Sequence, residues 1–77
     1  MNLPVIDLKR TGLNICRLRE ERGLTVRQLQ RLLGFSTPQS IYKWQNGNSL
    51  PTVDNLVALS AILHVPIDII LVTDQSD

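Results

Sequence analysis

The sequence predicts an all-α fold, a compact bundle of about five short helices, and three observations carry that prediction. Apolar residues recur at helical spacing, in Val26, Leu29 and Leu33 and again in Leu56, Leu59 and Leu63. Helix-starting and helix-stopping residues alternate along the chain: Thr25 with Gly34, Thr37 and Pro38 with Gly47, Thr52 with His64. Finally, 77 residues leave room for one domain, near the lower size at which a hydrophobic core suffices without a metal or disulfide.

In chain order, residues 1–6 (MNLPVI) contain Pro4 and are too few for an element of their own, so they read as an extended N-terminal arm. Such an arm can fold back through Leu3, Val5 and Ile6 or reach toward a partner. The domain proper spans residues 7–72. Asp7 can cap a first turn at Leu8, and Thr11 offers a second cap for a main helix that runs to about Arg22, with Ile15 and Leu18 inward. Gly23 closes it. All four glycines and all four prolines read as element boundaries.

Residues 24–47, LTVRQLQRLLGFSTPQSIYKWQNG, are the stretch around which the rest is organised. Thr25 can cap the backbone, and Gln28, three residues on, can reach back to form a capping box. Val26, Leu29 and Leu33 then form one stripe, Gly34 can end the helix in the left-handed conformation, and Phe35 can drop its ring into the core at the corner. A second start follows at once, with Thr37 as N-cap and Pro38 as first helical residue, where its missing N–H is harmless. This helix runs to about Asn46 and Gly47 stops it. At about 100° per residue, Ile41 and Trp44 share one side, which docks on the first helix of the pair, while Gln39, Lys43 and Asn46 lie opposite.

Beyond a polar loop, Asn46 to Leu50, and Pro51, Thr52 can cap a helix that reaches about Leu63, with Asp54 well placed in its first turn. His64 follows where glycine is frequent and acts there as a cap rather than as a ligand or base. A last helix is predicted from Pro66 to about Val72, and residues 73–77 form a polar, frayed tail. The predicted core is Ile15, Leu18, Leu29, Leu33, Phe35, Ile41, Trp44, Leu56, Leu59 and Leu63. Val57, Ala58, Ala61 and Ile62, with Ile67, Ile69, Ile70 and Leu71, add more apolar surface than one small core needs. Either the two C-terminal helices bury each other, or they form a homodimer surface.

Composition excludes several classes. One cysteine, Cys16, cannot close an internal disulfide and reads as a partly exposed thiol; with one distant histidine it makes no metal spacing. There is no apolar run long enough for a membrane span and no signal peptide, which places the protein in the cytoplasm. No carboxylate pair, activated nucleophile or phosphate-cradling glycine loop is present, so no enzyme, cofactor or small-molecule ligand is expected.

Net charge is only +1, but its distribution is uneven. Residues 8–50 hold all eight basic groups (Lys9, Arg10, Arg17, Arg19, Arg22, Arg27, Arg31 and Lys43) against Glu20 and Glu21, a local net of +6. Asp54, Asp68, Asp74 and Asp77 follow, and Asp7 precedes. A basic half against an acidic half suits an oriented polyanion binder, although ordinary surface charge gives the same count. The second helix of the pair carries side chains suited to base edges: Gln for adenine, Lys for guanine, and Ser40 for several bases. A merely solvated polar face would look alike.

The order L-T-x-x-x-L-x-x-x-L-G-F-S, then I-x-x-W-x-N-G, then L-P and N-L-x-x-L, resembles the Cro and phage-repressor type of helix-turn-helix, also called XRE-like, from about Thr11 to Leu71. The resemblance implies a lambda-repressor-like bundle with its helix-turn-helix at residues 25–46, whose second helix reads double-stranded DNA. It assigns base contacts to Thr37, Gln39, Ser40 and Lys43, and phosphate contacts to Thr25, Arg27, Tyr42, Asn46 and Asn48. Three departures stand out. One extra residue sits between Phe35 and Ile41; Val26 replaces a glutamine that contacts DNA in many relatives; and Gln45 replaces a glutamate that pairs with the arginine matching Arg19. An Arg19 to Gln45 hydrogen bond is expected in place of that pair. The function implied is a transcriptional regulator, a repressor acting as a dimer. The alternative is an interaction module of the same fold, an antitoxin-like partner with little DNA binding.

Overall fold

Local chemistry sets most of the helix limits. In the computed structural model, which describes residues 3–75, the elements are β1 (Pro4–Ile6), α1 (Leu8–Glu21), α2 (Val26–Leu33), α3 (Gln39–Gln45), α4 (Val53–Leu63), α5 (Ile67–Ile70) and β2 (Thr73–Gln75). Asp7 accepts from the Arg10 amide at 2.8 Å, and Thr52 from the Asn55 amide at 3.3 Å. Thr25 and Gln28 form the reciprocal box, with Gln28 N to Thr25 Oγ1 at 3.0 Å and Thr25 N to Gln28 Oε1 at 2.8 Å. Each of the first four helices ends on a residue of positive φ, Gly23, Gly34, Gly47 or His64. The amide one residue later closes the turn, as Phe35 N does on Gln30 O and Asn48 N on Lys43 O.

These helices enclose a core of Ile15, Leu18, Leu29, Ile41, Trp44, Leu56, Leu59, Leu63 and Ile70. Leu33 and Phe35 are partly buried against it, and the Phe35 ring meets the Trp44 indole edge-on, centroids 5.8 Å apart. Ile70, which periodicity left among the surplus, is fully buried. Ile62, Ile67 and Leu71 also pack on the core, whereas Val53, Val57 and Ile69 remain exposed. Part of the C-terminal apolar surface is therefore used internally.

Several boundaries differ from expectation, each for a long-range reason. Thr11 does not start a helix; it lies buried in an unbroken α1, and its hydroxyl accepts from the Val72 amide at 2.9 Å. One turn on, the Asn14 side-chain amide donates to the carbonyls of Ile69 and Ile70, at 2.7 and 2.9 Å. These bonds close α5 at Ile70 and leave Leu71 extended, so the predicted helix to Val72 stops early. The predicted arm and tail then meet: Pro4, Val5 and Ile6 pair antiparallel with Gln75, Asp74 and Thr73. Leu3 and Val5 stay exposed, and only Ile6 turns partly inward. Residues 1–2 and 76–77 lie outside the described residues.

Gly12 is the second correction. It marks no boundary but sits inside α1, against the last turn of α3, where a Cβ would collide with the Trp44 carbonyl oxygen and stand 2.9 Å from that of Gln45. The apolar side of α3 accordingly packs chiefly on α1, not on α2 as its neighbour in sequence suggested. An exposed helical Gly→Ala change normally stabilises by up to about 1 kcal/mol. At Gly12 overpacking reverses the sign, and Gly12→Ala should cost about 1–3 kcal/mol. Thermal unfolding should show a fall of roughly 4–8 °C for each kcal/mol; a rise in Tm would show that α1 and α3 do not touch there.

Candidate nucleic-acid interface

The two faces of α3 are fully differentiated. Ile41 and Trp44 are 0% and 3% exposed, while Gln39, Ser40, Tyr42, Lys43 and Asn46 are all exposed. Seven residues make a rod about 10 Å long at 1.5 Å per residue, short enough to lie within a major groove about 12 Å wide. Because the indole and the isoleucine fix the inner side, the outer side chains project from a rigid base.

Arg19 braces that base from behind. Its Nε donates to Gln45 Oε1 at 3.0 Å and its Nη1 to the Leu24 carbonyl at 2.6 Å, so one guanidinium ties α1, the segment before α2, and α3. The Cys16 thiol, half-buried, lies 3.5 Å from both Arg19 Nη2 and Glu20 Oε1.

The start of α3 departs from prediction. Pro38 occupies the N-cap position with φ −85° and ψ 4°, no side chain caps the helix, and the first helical residue is Gln39. Thr37 therefore lies in a bend ahead of the helix rather than at its cap. Gln30 steadies this bend by donating from Nε2 to the Phe35 carbonyl at 3.2 Å.

Between α2 and the bend opens a cleft of about 450 Å³ lined by Val26, Arg27, Gln30, Arg31, Ser36, Thr37, Pro38 and Tyr42. The cleft brings Thr37, Arg27 and Tyr42 together with Arg31, to which the sequence had given no role. A signal for it existed: Arg27 and Arg31 are four residues apart and share one flank of α2. Thr25 is exposed next to them, its hydroxyl oxygen already accepting from Gln28. At the other end of α3, Asn46 and Asn48 are exposed on either side of Gly47. Lys9 was also missed. Its backbone runs so close to Gly47 that a Cβ there would stand 2.8 Å from the Lys9 Cα.

Only two ion pairs form among the described residues, Arg17 with Glu21 at 2.6 Å and Arg10 with Asp74 at 4.0 Å. Lys9, Arg27, Arg31 and Lys43 are in neither. The cations around α3 are thus left free for an external anion.

The helix-turn-helix family model matches residues 17–70, most of the chain. The chain belongs to the helix-turn-helix family, in its Cro and phage-repressor type. Solved structures agree on the fold. The restriction-modification controller protein C.AhdI from Aeromonas hydrophila superposes with a TM-score of 0.74 at 22% identity, over 83% of this chain and 96% of that one. The DNA-binding domain of BldD from S. venezulae gives 0.72 at 19% identity, over 86% and 97%. Apo-HppE gives 0.76 at 22% identity, over 86% of this chain but only 36% of its own length, so the same fold also occurs as part of a longer protein. A search of curated protein sequences returns no match.

Within this helix-turn-helix, the Arg19 to Gln45 bond pairs a charged donor with a neutral acceptor. Replacing the neutral acceptor by a carboxylate should strengthen the brace. Gln45→Glu is expected to gain about 0.5–1 kcal/mol near neutral pH, since the site is only partly exposed. The gain should disappear as acid protonates the carboxylate. Equal melting temperatures at neutral pH for the variant and the parent would mean that the brace carries no load.

Proposed function

We propose that this protein is a sequence-specific regulator of transcription that binds double-stranded DNA as a homodimer, acts in the cytoplasm as a repressor, and catalyses nothing. The observation that carries the reading is α3, whose apolar side is sealed in the core while its amide, hydroxyl and ammonium groups stand free on the outside. Gln39, Ser40 and Lys43 would choose the sequence from the floor of the major groove. Arg27, Tyr42, Asn46 and Asn48, with the backbone beside Thr25, would hold phosphates and set the register. C.AhdI is described as a controller protein and the BldD domain as DNA-binding, and both share this fold.

Selection from pooled random duplexes at low salt tests the reading. A palindromic motif with half-sites about one helical turn apart is the expected outcome. Absence of enrichment would favour the interaction-module alternative. Against the selected site, Gln39→Ala and Lys43→Ala should each lose about 1–3 kcal/mol of discrimination at one base pair while the fold stays intact. Should both variants keep the parent's preference at every position, α3 does not read bases through these groups.

Val53, Val57 and Ile69, at 74%, 56% and 50% exposed, are the surface proposed for the second copy. Val57→Asp should move the protein from dimer to monomer in sedimentation and weaken binding to the palindrome far more than to an isolated half-site. A variant that sediments like the parent would place the dimer surface elsewhere.

A further inference from the structure

We propose that the cleft between α2 and the bend before α3 seats one phosphodiester of the DNA backbone, with Arg31 as its principal cation and Thr37 as a backbone-contacting donor rather than a base reader. This inference rests on the DNA-binding reading above and adds to it a contact and a residue that neither periodicity nor family resemblance assigns.

Arg27 and Arg31 stand one turn apart on one wall, and Thr37 and Tyr42 supply hydroxyl groups to the other. No acidic residue lines the cleft, and neither arginine is in an ion pair among the described residues. Two arginines and two hydroxyl-bearing residues lining one cleft suit the oxygens of a phosphate, which accepts several charge-assisted bonds at once. The cleft adjoins the exposed outer face of α3, so a backbone passing along the edge of the groove that α3 enters would cross its mouth. With Pro38 at the N-cap, Thr37 lies ahead of the helix and on the cleft wall, outside the run of Gln39 and Lys43. Arg31 is exposed and outside the core, so its removal leaves the fold unchanged.

The test uses the full chain and a duplex that the parent protein selects from a random pool. Arg31→Ala should weaken binding roughly ten- to a hundredfold for every sequence alike, equivalent to losing one charged hydrogen bond. It should also flatten the dependence of log K on log salt by about 0.9 for each protomer bound, the change expected for one phosphate contact per copy. Arg17→Ala, which removes the same charge from the far side of α1, should leave that slope unchanged. Duplexes carrying a neutral methylphosphonate at single positions locate the contact. The parent should lose affinity at one flanking phosphate, and Arg31→Ala should be insensitive to that same replacement. Thr37→Val should reduce affinity without altering base preference. The proposal is overturned if Arg31→Ala and Arg17→Ala change the slope equally, if every methylphosphonate affects parent and Arg31→Ala alike, or if Thr37→Val relaxes preference at a base pair. Failure of the parent to bind any duplex would instead remove the DNA-binding reading itself.

Discussion

The close approach of α1 to the C-terminal turn of α3 is the constraint on which the rest of the molecule depends. Two positions without a Cβ make it possible. Gly12 lets α1 lie on the carbonyls of Trp44 and Gln45, and Gly47 lets the chain leave α3 against the backbone of Lys9. With the two helices this near, the Trp44 indole has no room to turn outward, Ile41 follows it into the core, and Gln39, Ser40, Tyr42 and Lys43 are left exposed. The orientation of the outer face of α3 is therefore imposed from behind. Arg19, reaching from α1 to Gln45 and Leu24, adds a polar tie at the same junction.

How much of this was legible in the sequence follows from the range of the interactions involved. Caps act over three or four residues, so Asp7, Thr25 with Gln28, and Thr52 could be read as helix starts, and Gly23, Gly34, Gly47 and His64 as helix ends. Thr11 and Asn14 could not be read in this way, because their partners Val72, Ile69 and Ile70 lie 55 to 61 residues away. A threonine that ties the C-terminal segment to α1 has the same local signature as one that caps a helix. The pairing of β1 with β2 was hidden for the same reason, since three residues at each end carry no period of their own. Gly12 did leave a signal: a glycine inside an apolar helical pattern costs stability and usually marks close packing.

The site divides along the same line. Which residues of α3 face outward follows from a 100° step and the positions of Ile41 and Trp44, and the structure has Gln39, Ser40 and Lys43 exposed accordingly. Where the helix begins was not determined by its own residues. Thr37-Pro38 is a good start signal, but it can place Pro38 either inside the helix or before it. Packing of Phe35 on Trp44 and the bond from Gln30 to the Phe35 carbonyl set the path of the turn. They leave Pro38 before the helix, and a contact such as Arg31 beside Thr37 then arises only in three dimensions.

A net charge of +1 would appear to disfavour a polyanionic partner, yet what a bound duplex senses is the charge free on one face. Both ion pairs among the described residues are exposed, so they add little stability. Their effect is on distribution: Arg17 and Arg10, which lie on α1, are offset, while Lys9, Arg27, Arg31 and Lys43 are not. The unopposed acids Asp54 and Asp68 belong to α4 and α5, the C-terminal half of the bundle. At physiological ionic strength the screening length is about 8 Å, so an anion at α3 senses chiefly the charges within that distance. The sum over the chain then matters for solubility, and the local excess of cations around α2 and α3 governs what can approach that face.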